Sequence, residues 1–338
     1  MPVVRLLLLL LFLAASASAQ SWSVQTSGLD TNLRGVSVTQ ASAVPIIWAC
    51  GSHGVILRSI DAGKTWVRIR VPDADALDFR SIQAFGAQIA YVMSIGSGSQ
   101  SRIYKTTDGG KNWMLEYTGK RDAVFLDDLV CISKIACFAL SDPVDGKFLL
   151  LATRDGLHWQ DLPRGSMPPA LPGEGVFAAS GTSLAIYEQN IYSATGGASV
   201  ARVFRSRDLG RTWAAFATPI ASSNSSSGIF SIARKGNALV VVGGDYKVTG
   251  GAARAAAYSL DGGTSWHLAA SALGGFRSAV AFLRGSTVIA VGPSGEDISR
   301  DAGAHWTPAG SLNLNAVAAF DSRQAWGVGA KGTIALYK

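Results

Sequence analysis

The chain has 338 residues, a formal net charge of +7, 16% charged residues and 48% hydrophobic residues. This modest basic balance comes without the Lys/Arg clusters and interleaved aromatic residues of a nucleic-acid groove, so nucleic acid is excluded as a partner. The three Cys and four His lack zinc-site spacing, and no metal site is predicted.

Residues 1–19 have the pattern of a secretory signal peptide. Arg5 supplies the positive start, residues 6–13 the apolar core, and Ala17-Ser18-Ala19 a small-residue cleavage site. The apolar run is too short to span a bilayer. We expect a periplasmic or secreted protein, without membrane insertion, in which residues 20–338 form one domain.

A short motif, Ser/Thr-x-Asp-x-Gly-x-x-Trp, recurs six times along the chain. The first copy runs from Ser59 to Trp66, and the third, from Thr153 to Trp159, is one residue shorter. The six tryptophans are separated by 47, 46, 54, 53 and 40 residues. A period of about 40–50 residues is the length of one four-stranded propeller blade, so an all-β propeller is predicted.

This motif is an Asp-box. Each copy lies between two strand-like runs, so its residues are assigned a structural role. The Asp carboxylate accepts backbone N–H bonds in the turn, and the Gly adopts positive φ without steric cost. The Trp begins the next strand and is expected to wedge its ring against the adjacent blade. The predicted structural residues are Asp61, Trp66, Asp108, Trp113, Asp155, Trp159, Asp208, Trp213, Asp261, Trp266, Asp301 and Trp306.

Strand-like runs divide the chain into seven blades. The last unit has three runs and lacks an Asp-box, whereas residues 21–25 resemble the strand that follows each Asp-box. We therefore predict that the N-terminal strand completes the last blade and removes the open edge of the ring. The predicted blades cover residues 34–70, 79–118, 126–162, 175–218, 228–270, 276–309 and 315–337.

Cys131 and Cys137 flank a predicted hairpin turn in the third blade. With a five-residue loop they face each other across the ladder and can form a disulfide in an oxidising compartment. With a tighter two-residue turn they lie diagonally and do not pair easily. Cys50 is predicted to be a small buried hydrophobic residue.

A second pattern marks the start of the innermost strands, where the channel opens onto one face. In most blades the Trp is followed, about 14 residues later at the longest, by an apolar, a variable, a small and an aliphatic residue, as in Leu33-Arg34-Gly35-Val36. We predict a channel mouth with a cationic arc facing an acidic one, which would fix the orientation of a partner. The alternative is that Arg80 forms an ion pair with Asp127, so that the charged residues of the ring neutralise one another and have only a structural role. The variable residues are Arg34, Arg80, Asp127, Glu174, Ser227, Arg277 and Asn315.

The repeated Asp-boxes, the Leu/Phe-Arg-Gly/Ser-aliphatic strand starts and the predicted leader resemble the photosystem II stability/assembly factor-like propellers. The segment 138–148 is similar to exported bacterial members of this group. The resemblance implies a scaffold that holds a membrane subunit during assembly, with Arg residues on one face; Arg34, Arg80 and Arg277 match that pattern. It implies a protein or peptide partner, such as a loop of a membrane protein, and we expect a monomer.

The competing hypothesis is a glycoside hydrolase, because sialidases share the Asp-box and act on anionic glycans. The best carboxylate pair for acid/base work is Asp127 with Glu174 on neighbouring blades. The sialidase Arg-Ile-Pro signature is absent, and Tyr187-Glu188 is predicted inside the second strand of its blade, away from the mouth. No dinucleotide fingerprint is present, so no cofactor is predicted. Binding without catalysis is the favoured reading.

Overall fold

Seven four-stranded antiparallel sheets form the architecture of the described part of the chain. The computed structural model describes residues 21–39, 44–248, 250–321 and 323–338. The predicted signal peptide lies outside these residues. The predicted all-β, seven-bladed propeller is confirmed.

Each blade has its four strands in chain order from the channel outward, except the last. Blades 1 to 4 consist of β2 (Leu33–Thr39), β3 (Ile46–Gly51), β4 (Ile56–Ser59) and β5 (Val67–Ile69); β6 (Asp78–Phe85), β7 (Ile89–Ile95), β8 (Arg102–Thr106) and β9 (Met114–Thr118); β10 (Leu126–Cys131), β11 (Cys137–Val144), β12 (Lys147–Thr153) and β13 (Gln160–Asp161); and β14 (Leu184–Tyr187), β15 (Asn190–Ala194), β16 (Arg202–Ser206) and β17 (Ala214–Ala217).

The remaining blades follow the same plan. Blades 5 to 7 consist of β18 (Ser227–Lys235), β19 (Ala238–Asp245), β20 (Ala256–Ser259) and β21 (His267–Leu268); β22 (Ala279–Phe282), β23 (Val288–Gly292), β24 (Gly295–Ser299) and β25 (Thr307–Gly310); and β26 (Ala316–Ala319), β27 (Ala325–Val328), β28 (Thr333–Tyr337) and β1 (Trp22–Thr26). Within the described ranges, two short 3₁₀ turns cover Gly98–Gln100 and Ala330–Gly332. No helix of the described residues is long and apolar enough to cross a membrane.

The N-terminal strand closes the ring. β1 pairs antiparallel with β28, with Trp22 opposite Tyr337 and Val24 opposite Ala335. It is therefore the outermost strand of blade 7, as predicted. This pairing joins the two ends of the described chain in one sheet and gives the blade its fourth strand.

The core is divided among the interfaces between blades. In the described residues, each pair of neighbouring blades shares one cluster of buried apolar side chains, and each cluster includes the Trp of the later blade's outermost strand. Trp113, for example, packs edge-on against Trp48 of blade 1. The predicted wedge is thus found at every interface, and blade 7 uses Trp22 of β1 in this role.

The Asp-box turns have the predicted hydrogen bonds. In the first, the Ser59 hydroxyl donates to Asp61 Oδ1 and accepts the Gly63 N–H, while Asp61 Oδ1 accepts the Thr65 N–H at 2.9 Å. The hydrogen bonds from Thr65 and Ser59 lower the pKa of Asp61 to about 2. The carboxylate is therefore occupied in holding the turn, which is a structural role.

A basic residue just before some Asp-boxes ties neighbouring blades together, which sequence analysis missed. Arg58, Lys105 and Arg205 donate to backbone carbonyls inside the next blade's Asp-box. The acceptors are the carbonyls of Gly109, Gly156 and Gly262. The signal in the sequence is a Lys or Arg directly before the Ser/Thr of the motif.

Cys131 and Cys137 lie opposite each other in the β10–β11 hairpin and form a disulfide. The five-residue loop was therefore the correct alternative. Cys50 is a buried free thiol, as predicted, and burial is the main reason that its pKa is raised.

Replacing Trp306 by Ala tests the wedge. Trp306 is 4% exposed, and its Nε1 donates to the Gly303 carbonyl at 2.9 Å. We expect its loss to lower the free energy of unfolding by about 3–5 kcal/mol, measured by chemical denaturation. Trp159→Ala is the matched control, because Trp159 is partly exposed and its Nε1 has no partner among the described residues, and it should cost clearly less. Equal losses would contradict the dependence of this contribution on the burial of the ring and on its Nε1 hydrogen bond.

Candidate functional site

The innermost strands begin with a recurring bulge that turns one side chain out of the ladder. In β2, Leu33 pairs with Gly51 and Gly35 pairs with Cys50, which leaves Arg34 unpaired. Of the described innermost strands, those of blades 2, 3 and 5 have the same register shift. Their bulged residues are Arg80, Asp127 and Phe230. The Asp-box turns lie at the opposite end of each blade. The bulged residues therefore lie on the other face of the propeller.

Hydrogen bonds between blades identify the equivalent residues in blades 6 and 7. Leu33 donates its N–H to Gly329 in the preceding blade, and Leu314 does the same to Gly292. Asn315 therefore corresponds to Arg34, as predicted. In blade 6 the donor is Arg277, which bonds to Gly243, so the mouth position belongs to Ser278. The predicted alignment of blade 6 was wrong by one residue.

Arg277 is consequently part of the core and does not line the mouth. It is 2% exposed, and its Nη2 forms an ion pair with Asp297 Oδ2 at 2.7 Å. Its Nη1 also donates to Ser294 Oγ at 3.0 Å. These partners use the guanidinium fully within blade 6, so it is not available to a ligand at the mouth.

Glu174 and Ser227 also lie away from the predicted ring. Glu174 is buried, forms an ion pair with Arg202 and accepts the Thr195 hydroxyl at 2.7 Å. Ser227 Oγ accepts the Ser223 N–H at 2.9 Å, and in its blade the bulge belongs to Phe230. The sequence carried the signal, since Ile229-Phe230-Ser231-Ile232 repeats the pattern of strand starts.

Residues 175–183 cross the channel before blade 4 begins. The predicted first strand of this blade starts at 175, whereas β14 starts at Leu184. The Ala178 carbonyl accepts Arg80 Nη1 of blade 2 at 3.0 Å, and Ser180 Oγ donates to the Ser278 carbonyl of blade 6 at 2.8 Å. Thr182 Oγ1 lies 2.7 Å from Ser231 Oγ of blade 5. We call residues 175–183 the crossing segment.

The crossing segment requires a glycine where it meets blade 2. Gly181 has a φ of +64°, and a Cβ there would lie 2.9 Å from the Arg80 carbonyl oxygen and from Ser81 Cα. Any other residue would clash with backbone and adopt a strained conformation. Phe177, Ala178 and Ala179 of the crossing segment line a cavity at the channel opening. Tyr187-Glu188 follows it at the far end of β14 and in the next turn, not in the second strand as predicted.

A cavity of about 450 Å³, the mouth cavity, lies above the crossing segment. One wall is aromatic: Phe177 of the crossing segment stacks on Phe230 with ring centroids 3.8 Å apart and an interplanar angle of 2°. Phe276 meets Phe230 edge-on at 4.6 Å, and Tyr246 completes the wall and is 52% exposed. This wall offers an apolar surface to a ligand side chain.

The opposite wall is cationic. Arg80 pairs with Asp78 at 2.6 Å, so the predicted alternative pairing of Arg80 with Asp127 is not found. Arg34 has no ion pair among the described residues, and its Nη1 donates only a long bond, 3.4 Å, to Asn315 Oδ1. Burial and the neighbouring Arg80 lower the pKa of Arg34 to about 10, with Asp78 opposing the change. Arg34 is thus left without a carboxylate partner, beside a second guanidinium.

Unused donors remain on this wall. The Nε atoms of Arg34 and Arg80 are buried and have no hydrogen-bond partner among the described residues. Buried donors of this kind are costly to leave unpaired, and charge-assisted bonds to an oxyanion would satisfy them. The arrangement therefore favours a ligand that carries a carboxylate beside an apolar group.

Neither residue of the predicted acidic arc lines the mouth cavity. Asp127 is 1% exposed, and its two oxygens have no hydrogen-bond partner among the described residues. Burial, then Asp142 and Asp128, raise its pKa well above the usual range. With Asp127 buried and Glu174 neutralised by Arg202, the predicted carboxylate pair presents no accessible acid and base to a glycoside.

Asp128 is buried too, but it is fully hydrogen-bonded. Its oxygens accept the N–H groups of Leu129 and Leu184, each at 2.7 Å, and the hydroxyls of Ser81 and Ser183. Burial raises its pKa to about 6 despite these bonds. It links blades 2, 3 and 4 under the crossing segment. No group of three or more His, Cys, Asp or Glu residues in the described ranges could hold a metal ion.

The chain matches one family model and is similar in fold to solved structures. Residues 10–296 match the family model described as photosynthesis system II assembly factor YCF48. The structure of YCF48 from Cyanidioschyzon merolae superposes with a TM-score of 0.68 at 17% identity, covering 94% of this chain and 98% of that one. A second structure, described as YCF48 bound to D1 peptide, gives a TM-score of 0.65 at 15% identity, covering 95% and 97%. No curated protein sequence matches significantly.

The buried carboxyls predict how stability depends on pH. A native pKa raised to about 6 or above means that the folded state binds more protons than the unfolded state, so their contribution is present at low pH and lost as pH rises through 6. We expect the free energy of unfolding to fall between pH 5 and pH 7.5. Asp127→Asn should flatten that change and raise stability at pH 7.5, because it removes a carboxyl whose ionisation burial opposes.

Asp128→Asn is the matched comparison. The new amide nitrogen would face a backbone N–H or a hydroxyl that now donates to Asp128, so this variant should lose about 1–3 kcal/mol. Urea denaturation at the two pH values measures both variants. An Asp127→Asn protein that is destabilised as much as Asp128→Asn would contradict the assignment of an unpaired carboxyl at 127.

Proposed function

The chain belongs to the photosynthesis system II assembly factor YCF48 family, and from this premise we propose that it is an exported, non-enzymatic propeller that binds a protein or peptide segment in the mouth cavity. The observation that carries the proposal is the unpaired Arg34 beside Arg80, facing the stacked Phe177 and Phe230. A cavity of this size holds one or two side chains of an extended chain, which suits a loop or terminus.

The chemistry of the two walls defines the segment. The guanidiniums form bidentate, charge-assisted hydrogen bonds with a carboxylate, and the aromatic wall removes an adjacent apolar side chain from water. The segment therefore carries an acidic group next to an apolar or aromatic side chain. The family relative described as YCF48 bound to D1 peptide supports a peptide as the kind of ligand.

Two features support export and a membrane-complex context. The predicted signal peptide at residues 1–19 directs the chain out of the cytosol. The disulfide between Cys131 and Cys137 fits an oxidising compartment. An exported binding protein that recognises loops of a membrane subunit would act as an assembly or stability factor for that complex, in line with its family.

The glycoside hydrolase hypothesis receives no comparable support. Catalysis would need two accessible carboxyls on either side of a bound sugar. Of the predicted pair, Asp127 is buried and Glu174 is held by Arg202. We propose that the site binds and does not turn over a substrate.

Charge removal at the mouth tests the proposal. The mature chain is immobilised beside an Arg34→Gln/Arg80→Gln variant, and detergent-solubilised membranes of the native host are passed over both. We expect a membrane protein retained by the parent chain to bind the variant at least about tenfold more weakly, since two charge-assisted contacts are lost. Affinity is then measured with synthetic peptides that cover the soluble loops of the retained protein.

An Arg70→Gln/Arg121→Gln variant is the matched control, because it removes the same charge from two exposed arginines outside the mouth cavity. It should bind like the parent chain, and thermal unfolding establishes that both variants are folded. Equal weakening of binding by both variants would mean that the net charge of the chain, and not the mouth cavity, accounts for the loss. Unchanged binding by the Arg34/Arg80 variant would place the partner elsewhere on the propeller and contradict the proposal.

A further inference from the structure

A second cavity, of about 840 Å³, adjoins the mouth cavity. Phe177 lines both. The second cavity, which we call the side cavity, extends over blades 3 and 4 and is floored by the start of the crossing segment and by residues 170–175. The aromatic ring of Phe177 therefore stands between two openings on the same face.

The two cavities carry opposite charge. The side cavity has the carboxylates of Asp122 and Asp142 in its lining and no Lys or Arg. The mouth cavity has Arg34 and Arg80 and no carboxylate. The remaining acid of the side cavity, Glu174, is neutralised by Arg202.

Both side-cavity carboxylates retain free capacity. Asp122 is exposed and forms no ion pair among the described residues. Asp142 accepts the Val176 N–H through Oδ1 at 2.8 Å, which leaves Oδ2 free of hydrogen bonds within the described chain.

We infer that the two cavities bind one dipolar peptide segment, with an acidic group at Arg34 and Arg80, an apolar side chain at Phe177, and a Lys or Arg side chain at Asp122 and Asp142. This inference rests on the proposed function and specifies its ligand. An extended chain fits better than a membrane surface or a glycan, because the two charges lie in separate concave openings on either side of an aromatic ring. Opposite charges at the two ends also fix the direction in which the chain lies.

Synthetic peptides test the inference directly. The probes are fluorescein-labelled octapeptides with blocked ends and a Leu-Phe centre, and a six- and a ten-residue version cover the span between the cavities. One pair of peptides carries Lys at one end and Glu at the other, in the two possible chain directions. The comparison peptides carry a single Glu, Glu at both ends, or Lys at both ends. Fluorescence anisotropy at low and physiological salt gives the affinities.

We expect the Lys/Glu peptide, in one chain direction, to bind about three- to tenfold more tightly than the Glu-only peptide, with Lys/Lys weakest. Asp122→Asn/Asp142→Asn should remove the advantage of the Lys end and leave the Glu-only peptide unaffected. Asn at 142 can still accept the Val176 N–H, and the exposed Asp122→Asn alone serves as a second variant with little risk to folding. Asp73→Asn, an exposed site outside both cavities, is the matched control.

The outcomes separate the inference from the proposed function. If the Lys/Glu and Glu-only peptides bind equally, or if the Asp variants weaken all peptides alike, the dipolar ligand is refuted while binding at the mouth stands. If no peptide binds, or binding is indifferent to Arg34→Gln/Arg80→Gln, the proposed function fails and the inference fails with it.

Discussion

The packing of one tryptophan into each interface between blades is the interaction on which the rest of this structure depends. No blade buries its apolar face alone, so the seven clusters stabilise the ring only when every neighbour is present and β1 completes the last sheet. A closed ring holds the first residues of the innermost strands at fixed positions around the channel. The bulges at those positions can then direct Arg34, Arg80 and Phe230 toward the mouth without a flexible loop.

Several charged side chains of the same frame are satisfied by partners within the fold. Arg277 is neutralised by Asp297, Glu174 by Arg202, and the Asp-box carboxylates by backbone N–H groups. Arg34 is left without a carboxylate beside a second cation, at the rim of an apolar cavity. A folded protein gains no stability from such an arrangement. A ligand that supplies an anion would pair with Arg34 and remove this cost. The peptide-bound relative in the family is informative for this reason.

The fold could be predicted from the sequence because its determinants are local. The Asp-box places an Asp, a Gly and a Trp within eight residues, and its period is the length of one blade. The site was only partly predictable. Arg34, Arg80 and Asn315 were correctly aligned, since each follows an apolar residue and precedes a small and an aliphatic one. Arg277 was misplaced by a one-residue difference that inverts the direction of a side chain in a strand. The crossing segment, and with it Phe177, depends on contacts between blades 2, 4, 5 and 6 that no local pattern records.

A crystal structure of the chain with a peptide from its retained partner tests the central claim most directly. The account predicts density for the peptide in the mouth cavity, with an apolar side chain against Phe177 and Phe230 and a carboxylate within hydrogen-bond distance of Arg34. A peptide bound at the Asp-box face or along the outermost strands, with the mouth cavity vacant, would contradict it.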